Sequence, residues 1–151
     1  MKTISHHLAS LATAAWAGGL WAIGYLAVPI LFRAQPDKQL AGMLAGHMFT
    51  WLGVLGMVCG AYLLLQHLGV SGRAALRQRA FWVVAMMLLI TLVQQFVIQP
   101  IMADLKAQAL PLDVMHSVLA GQFKMLHGVS SIAYLLESLL GAFLVIDTRG
   151  N

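Results

Sequence analysis

The sequence predicts an all-α integral membrane protein, a four-helix bundle with a short interfacial helix before the last span, forming a single transmembrane domain over residues 1–151. Three observations predict it. Of 151 residues, 60% are hydrophobic and only 9% are charged, where a soluble domain carries about 25% charged residues. The mean hydropathy is +0.83. Four stretches each reach the ~20 mostly apolar residues that a helix needs to cross a hydrocarbon core of ~30 Å. Polar side chains are too few to clothe a water-soluble globule, which excludes a free cytoplasmic enzyme, a nucleic-acid module and a disordered tail.

The first span runs from Leu8 to Phe32 and the second from Leu40 to Leu65, both uncharged. The third covers Ala80 to Ala103, and the fourth Leu126 to Ile146 with Glu137 as its one charge. Runs of this kind lack the dyad alternation of a membrane β-barrel, so helices must satisfy the backbone within the bilayer. Lys2 and the small-residue run Ala15-Trp16-Ala17 imitate a signal peptide and its cleavage site, but the apolar run continues for fifteen residues past Ala17. It reads as a retained first helix.

Four spans put both termini and the second loop on one side. That side carries Lys2, Arg73, Arg77, Arg79 and Arg149, against Arg33, Lys38, Lys106 and Lys124 opposite. The dense Arg73/Arg77/Arg79 cluster in a short loop tips the balance, with Asp37, Asp104 and Asp113 on the other side. A multi-pass protein of a bacterial inner membrane with both termini in the cytoplasm is expected. The pI of 9.7 then reflects topology, and nucleic acid is not an expected partner. Cys59 is the single cysteine, so neither an intrachain disulfide nor a CxxC redox pair can form.

Arg33 to Lys38 forms a short, turn-like first loop, so the first two helices should be antiparallel neighbours. In the longer third connection, Pro111-Leu112-Asp113 reads as a helix start with Asp113 as its cap. Met115, Val118, Leu119, Gln122 and Leu126 follow at helical spacing, as an interfacial piece running into the fourth span. Pro29 and Pro100 interrupt otherwise regular helices and free the carbonyls of Tyr25 and Phe96. Either they make packing kinks near helix ends, or they border a cavity that needs irregular backbone. Gly42 with Gly46 and Gly56 with Gly60 have GxxxG spacing. That serves packing within the chain or a homo-oligomer through Gly-rich helix faces, with the lipid bilayer as the certain partner.

Antiparallel packing brings several polar side chains to one depth in the outer half. They are His47 on the second span, Gln95 and Gln99 on the third, and His127, Ser130, Ser131 and Tyr134 on the fourth. Two histidines on facing helices with amides and hydroxyls around them are the parts of a haem or transition-metal site. The competing reading is that both histidines only hydrogen-bond within the bundle. Glu137 lies near mid-bilayer, where an ionised side chain costs roughly 2.5–3.5 kcal/mol. It should be protonated or paired, with Thr91 and Gln94 as donors, as a proton carrier, a cation ligand or an interhelical hydrogen bond. Met43, His47 and Met48 cluster at the outer end of the second span, with Met102 and Met125 at the same level. They suggest soft metals, although methionine is also a common apolar filler. No P-loop, GxSxG, HExxH or EF-hand spacing occurs.

Trp16-Ala-Gly-Gly-Leu-Trp21, the run from Gly24 to Phe32, Gly42-Met-Leu-Ala-Gly46, Val97-Ile-Gln-Pro100 and Phe123-Lys-Met-Leu-His127-Gly-Val-Ser-Ser131 resemble the bacterial four-helix family that includes eukaryotic transmembrane protein 205. The resemblance spans nearly the whole chain, and it implies association with platinum-drug tolerance and vesicle traffic for the eukaryotic member alone. His7 with Trp16-Ala-Gly-Gly-Leu20 and Pro29-Ile-Leu-Phe32 is similar to the first helix of four-helix haem membrane proteins of the protoporphyrinogen-oxidase type and of copper-resistance membrane proteins. Those oxidases pair the first-helix histidine with a lysine on a later span. Residues 80–103 contain none, so this second resemblance implies a haem or metal role for His7 rather than oxidase activity.

The reading that joins these residues is a membrane protein holding haem b or a metal in an outer-half pocket. Its cofactor residues would be His47, His127, Gln95, Gln99, Ser130, Ser131 and His7. His47, His127, Met43 and Met48 would be the metal ligands. The alternatives are a transporter or export helper for a soft metal or small cation, with Glu137, Thr91 and Gln94 along its route, and a structural membrane partner without cofactor.

Overall fold

A computed structural model of the chain describes residues 2–110 and 112–147, with the side chains of Lys2 and Thr3 left out. Pro111, expected to open a helix, and Arg149, counted among the terminal-side charges, lie outside the described residues, as does the Lys2 side chain. Four helical rods long and apolar enough to cross a membrane run over Ile4–Ala34, Lys38–Arg77, Arg79–Ala109 and Ala120–Asp147. The described residues contain no strand.

The rods form a ring. The first packs on the second, the second on the third, the third on the fourth and the fourth back on the first. One end, here the terminal end, carries Ile4, the turn Gly72–Arg77 and Asp147; the other, the distal end, carries the first and third connections. Each rod turns outward large apolar side chains such as Leu11, Trp51, Trp82, Phe96 and Leu139, the pattern of a surface solvated by lipid tails. Inward, Trp16, Leu20, Leu52, Cys59, Leu63, Val84, Met87 and Leu144 make the core.

Both proline-bearing rods contain a widened turn. The first consists of α1 (Lys2–Trp21), a π-helical turn over Ala22–Ala27 and α2 (Val28–Ala34). The third consists of α4 (Arg79–Val93), a π-helical turn over Gln94–Ile98 and α5 (Gln99–Ala109). The rod between them opens with α3 (Lys38–Ser71), and the fourth is α6 (Ala120–Asp147). A proline ring would strike the carbonyl four residues back and offers it no N–H. The chain answers with a turn of five-residue hydrogen bonds just before each proline, Val28 N–H to Ile23 O and Gln99 N–H to Gln94 O. The expected kinks are therefore π-bulges, which keep the helix continuous while re-aiming the side chains beyond.

Rod ends differ from expectation. The second helix starts at Lys38, capped by Asp37 Oδ1 accepting from Gln39 N at 2.9 Å and Leu40 N at 3.1 Å. It runs on to Ser71 and stops where Gly72 adopts φ 55°, a left-handed conformation favouring glycine. Its 34 residues make about 50 Å of helix, well over the hydrocarbon thickness. The third rod continues past Ala103 to Ala109 because Met102, Leu105 and Ala109 are buried, the last two with Val114 in a small second core. The expected interfacial helix is a single 3₁₀ turn, Val114–His116, with Asp113 Oδ1 accepting from Met115 N at 3.0 Å. Val118, expected on the helix face, is fully exposed, and the fourth helix begins at Ala120.

Candidate ligand-binding cavity and its acidic floor

Between the four rods lies a cavity of about 910 Å³. It extends from Lys38, Asp113 and Lys124 at the distal end to Trp16, Thr91 and Glu137 near mid-bundle, a depth of about 20 Å at 1.5 Å per residue. Its walls are mixed: Leu20, Val28, Phe49 and Leu52 are apolar, while Gln94, Gln95, Gln99 and Ser130 are polar.

Most of the residues singled out from sequence meet here. His47, Gln95, Gln99, His127, Ser130, Ser131, Tyr134, Glu137, Thr91 and Gln94 all line this one cavity, as does Met43. Met48 and Met125 do not, whereas Met102 and Met115 do. His7 is exposed on α1 and is not part of the lining. It stands near the terminal end, nine residues before Trp16, or about 13 Å along the helix. The structure therefore does not bring His7 together with His47 and His127.

The polar wall divides into two groups. One group is spent on holding the bundle. Gln94 Nε2 donates to Ser130 O at 3.1 Å while Ser130 Oγ donates to Gln94 Oε1 at 2.8 Å. Gln94 thus joins the third rod to the fourth instead of donating to Glu137. Tyr134 OH donates to Leu20 O at 2.6 Å, on the edge of the first π turn. Its ring sits over Gly24, where a Cβ would collide with it. Trp21 Nε1 donates to Ser138 O at 3.3 Å, a second link between the first and fourth rods.

The other group is unspent. Among the described residues, none bonds to the side chains of His47, Gln95, Gln99 or His127. His127 is stacked on Phe123, with ring centroids 6.0 Å apart and planes 12° apart. Phe123 in turn carries the Lys106 ammonium 5.5 Å from its ring centroid. Gln95 is pressed against the second rod at Gly53, whose missing Cβ makes the room. Lys106, beyond the end expected for the third span, lies on the cavity wall with its Nζ 3.4 Å from Gly42 O.

At the floor Glu137 is 3% exposed. Thr91 Oγ1 stands 2.7 Å from Glu137 Oε1 and 3.0 Å from Met87 O. The Trp16 indole N–H faces the same carboxyl from the first rod. Trp16 was not expected at the site; the cue lay in Gly56 and Gly60, which together leave a groove for one flat ring. Lys38, Lys106 and Phe123 at the cavity mouth were missed as well, because each sits past a span end set by hydropathy alone. Among the described residues no group of three or more His, Cys, Asp or Glu could hold a metal ion.

Fold and cavity together define a four-span helical membrane protein with a ligand-sized chamber of mixed polarity in the distal half of the bundle. The chain belongs to the family described as a domain of unknown function, DUF4149, whose profile matches residues 11–111, about two thirds of its length. That match covers the first three rods and ends before the fourth, which carries His127, Tyr134 and Glu137. No curated protein and no solved structure matches the chain.

Proposed function

We propose that the protein binds an amphipathic cofactor, haem b, in the distal cavity. The observation that carries this reading is the pair His47 and His127. Both line one cavity from different helices, and neither imidazole has a hydrogen-bond partner among the described residues, His127 being stacked on Phe123. Both side chains are exposed rather than buried, and as imidazoles on different helices beside apolar walls they would hold the iron of such a group. Gln95 and Gln99 offer amides on the third rod to orient the bound group. At the mouth, Lys38, Lys106 and Lys124 supply positive charge suited to the carboxylates that haem carries at one edge.

A bare metal ion is served less well. Met43 adds one thioether to the two histidines, Met48 is turned elsewhere, and no cluster of three ionisable ligands stands among the described residues. Bound haem would supply a one-electron couple; the chain's part would be to hold it and to limit access of water. The Arg73, Arg77 and Arg79 cluster favours a cytoplasmic terminal end under the positive-inside rule. The cavity would then face the periplasm of a bacterial inner membrane. The resemblance of the first helix to haem membrane proteins favours a haem role in kind, although its histidine, His7, lies outside this cavity.

The test is an ultraviolet–visible spectrum of the detergent-purified protein after incubation with haem, oxidised and then reduced, for wild type and for His47→Ala/His127→Ala. A Soret band that sharpens on reduction in wild type and is lost in the double variant supports the assignment. Wild type and variant giving the same spectrum overturns it. A second reading, passage of a soft metal or small cation, has one observation in its favour: the cavity ends on the carboxyl of Glu137.

A further inference from the structure

A second chamber lies at the terminal end of the same bundle, with a volume of about 570 Å³. All four rods contribute to it, including Ser10 and Thr13 from the first, Gln66 from the second, Val84 from the third and Leu144 from the fourth. Thr13 is 4% exposed and no described residue bonds its hydroxyl. Yet no sealed polar side-chain atom lacks a partner among the described residues. The Thr13 hydroxyl must therefore open onto this chamber.

The two chambers nearly meet. On the first rod, Trp16 lines the distal cavity and Thr13 the terminal one, less than a turn apart. On the third rod Thr91 and Val84, and on the fourth Glu137 and Leu144, are each seven residues apart, or about 10 Å. What remains between is one layer. A Cβ on Gly141 would stand 3.4 Å from Ala17 Cβ and 3.5 Å from Met87 Cε, so the first, third and fourth rods touch there around the Met87 thioether. Met87 is fully buried, and Cys59 of the second rod belongs to the same buried core. An unbranched methionine side chain is the kind that changes rotamer readily.

Glu137 borders this layer, and its partners suit both of its protonation states. Thr91 has one hydroxyl proton and two acceptors in reach, Glu137 Oε1 and Met87 O. When the carboxylate is charged, Thr91 donates to it. When the carboxyl is protonated, it donates to Thr91 Oγ1 and the threonine turns its proton to the Met87 carbonyl, the usual back-bond of a helical threonine. The Trp16 indole N–H faces the carboxyl in either state. The groups facing Glu137 carry no charge: Trp16 comes from the first rod, Thr91 from the third, and Leu52 and Gly53 line the adjoining floor from the second. Tyr134, one turn away on its own helix, is the titratable neighbour, and its hydroxyl is committed to Leu20 O.

We propose that the two chambers are the halves of a proton path across the bundle, with Glu137 as the carrier and the Met87–Gly141–Ala17 layer as the barrier. A proton from water in the distal cavity joins the Glu137 carboxylate. A shift of Met87 lets that carboxylic acid give the proton to water in the Thr13 chamber, and the carboxylate returns. One proton and one charge cross per cycle, no electrons move, and the proton gradient drives it. This inference does not rest on the haem reading; it requires that water reach Glu137 through the distal cavity.

The experiment is proton flux into liposomes carrying the purified full chain, with a pH-sensitive dye inside, an imposed pH gradient, and potassium with valinomycin to clamp the potential. Wild type should acidify the interior several-fold faster than protein-free liposomes. Glu137→Gln, isosteric and still able to bond Thr91, should fall to the protein-free rate, while Glu137→Asp retains flux. Met87→Ala, which thins the barrier, should exceed wild type. A wild-type rate equal to that of empty liposomes, or an unchanged rate in Glu137→Gln, overturns the proposal, and a Met87→Ala rate at or below wild type overturns the assigned barrier. Flux without a haem spectrum would remove the cofactor reading and leave this one standing.

Discussion

The indole of Trp16 lies in a groove cut by Gly56: a Cβ at that glycine would stand 2.6 Å from Trp16 Nε1, and one at Gly60 would stand 2.9 Å from Cη2. The close approach lets Trp16, at 1% exposure, reach the Glu137 carboxyl from the first rod. Gly56→Ala should therefore destabilise the bundle by about 1–3 kcal/mol, the usual cost of overpacking a filled core. It should also displace the indole. Unfolding monitored by circular dichroism, with tryptophan fluorescence for the indole environment, checks both effects.

Gly46 has the same GxxxG spacing, with Gly42, on the same helix, yet nothing lies within 4 Å of its would-be Cβ. Gly46→Ala should leave stability unchanged or raise it by up to ~1 kcal/mol through helix propensity. The same unfolding assay distinguishes the two motifs. A loss as large as that of Gly56→Ala would mean that Gly46 is covered by a second copy, which light scattering in detergent would reveal.

How far the fold was legible in the sequence follows from which forces set each feature. The four spans were readable because hydrocarbon solvent selects long apolar runs, and Leu8–Phe32 or Leu40–Leu65 can be nothing else. Their ends were not, because Lys38, Lys106 and Ser71 remain helical through local caps and packing that hydropathy does not register. The π turns were half legible: Pro29 and Pro100 announced a break, but not that it would be absorbed by widening the preceding turn. The candidate site was legible as a depth, since His47, Gln95, Gln99, His127 and Glu137 do share one cavity. Pairing within it was not, because Gln94 turned to Ser130 rather than to Glu137 through a rotation no spacing rule specifies.

Gln94 and Ser130 exchange hydrogen bonds in both directions, so removing either leaves the other's capacity unmet. Their coupling energy, from the cycle Gln94→Leu, Ser130→Ala and the double variant, should be about 0.6 kcal/mol and no more than ~1.7 kcal/mol. Detergent-based unfolding of the four proteins measures it. Values near zero would mean that lipid or water replaces the pair.

Tyr134 should matter through its hydroxyl as well as its ring. The hydroxyl bonds Leu20 O at 2.6 Å, two residues before the π turn, and the ring fills the space above Gly24. Tyr134→Phe keeps the ring and should cost about 0.5–1.5 kcal/mol, the net value of one hydrogen bond. Gly24→Ala strikes the ring and should cost more. Thermal unfolding that ranks Tyr134→Phe as the more damaging would contradict this packing.

Thr91 gives the sharpest test of how the carboxyl at the cavity floor is held. Thr91→Val keeps the shape and removes the one hydroxyl that serves Glu137 Oε1 in the third rod. Glu137 is 3% exposed and open only on its cavity side, so water can substitute only partly. The loss should be about 1–3 kcal/mol, the cost of leaving a buried polar group unsatisfied, whereas Thr91→Ser should recover most of it. The double variant Thr91→Val/Glu137→Leu, with both polar groups gone, should be more stable than Thr91→Val alone, because an apolar pair of similar shape leaves nothing unpaired. If Thr91→Val unfolds like wild type, the carboxyl is held without Thr91 and the two-state role assigned to Thr91 fails.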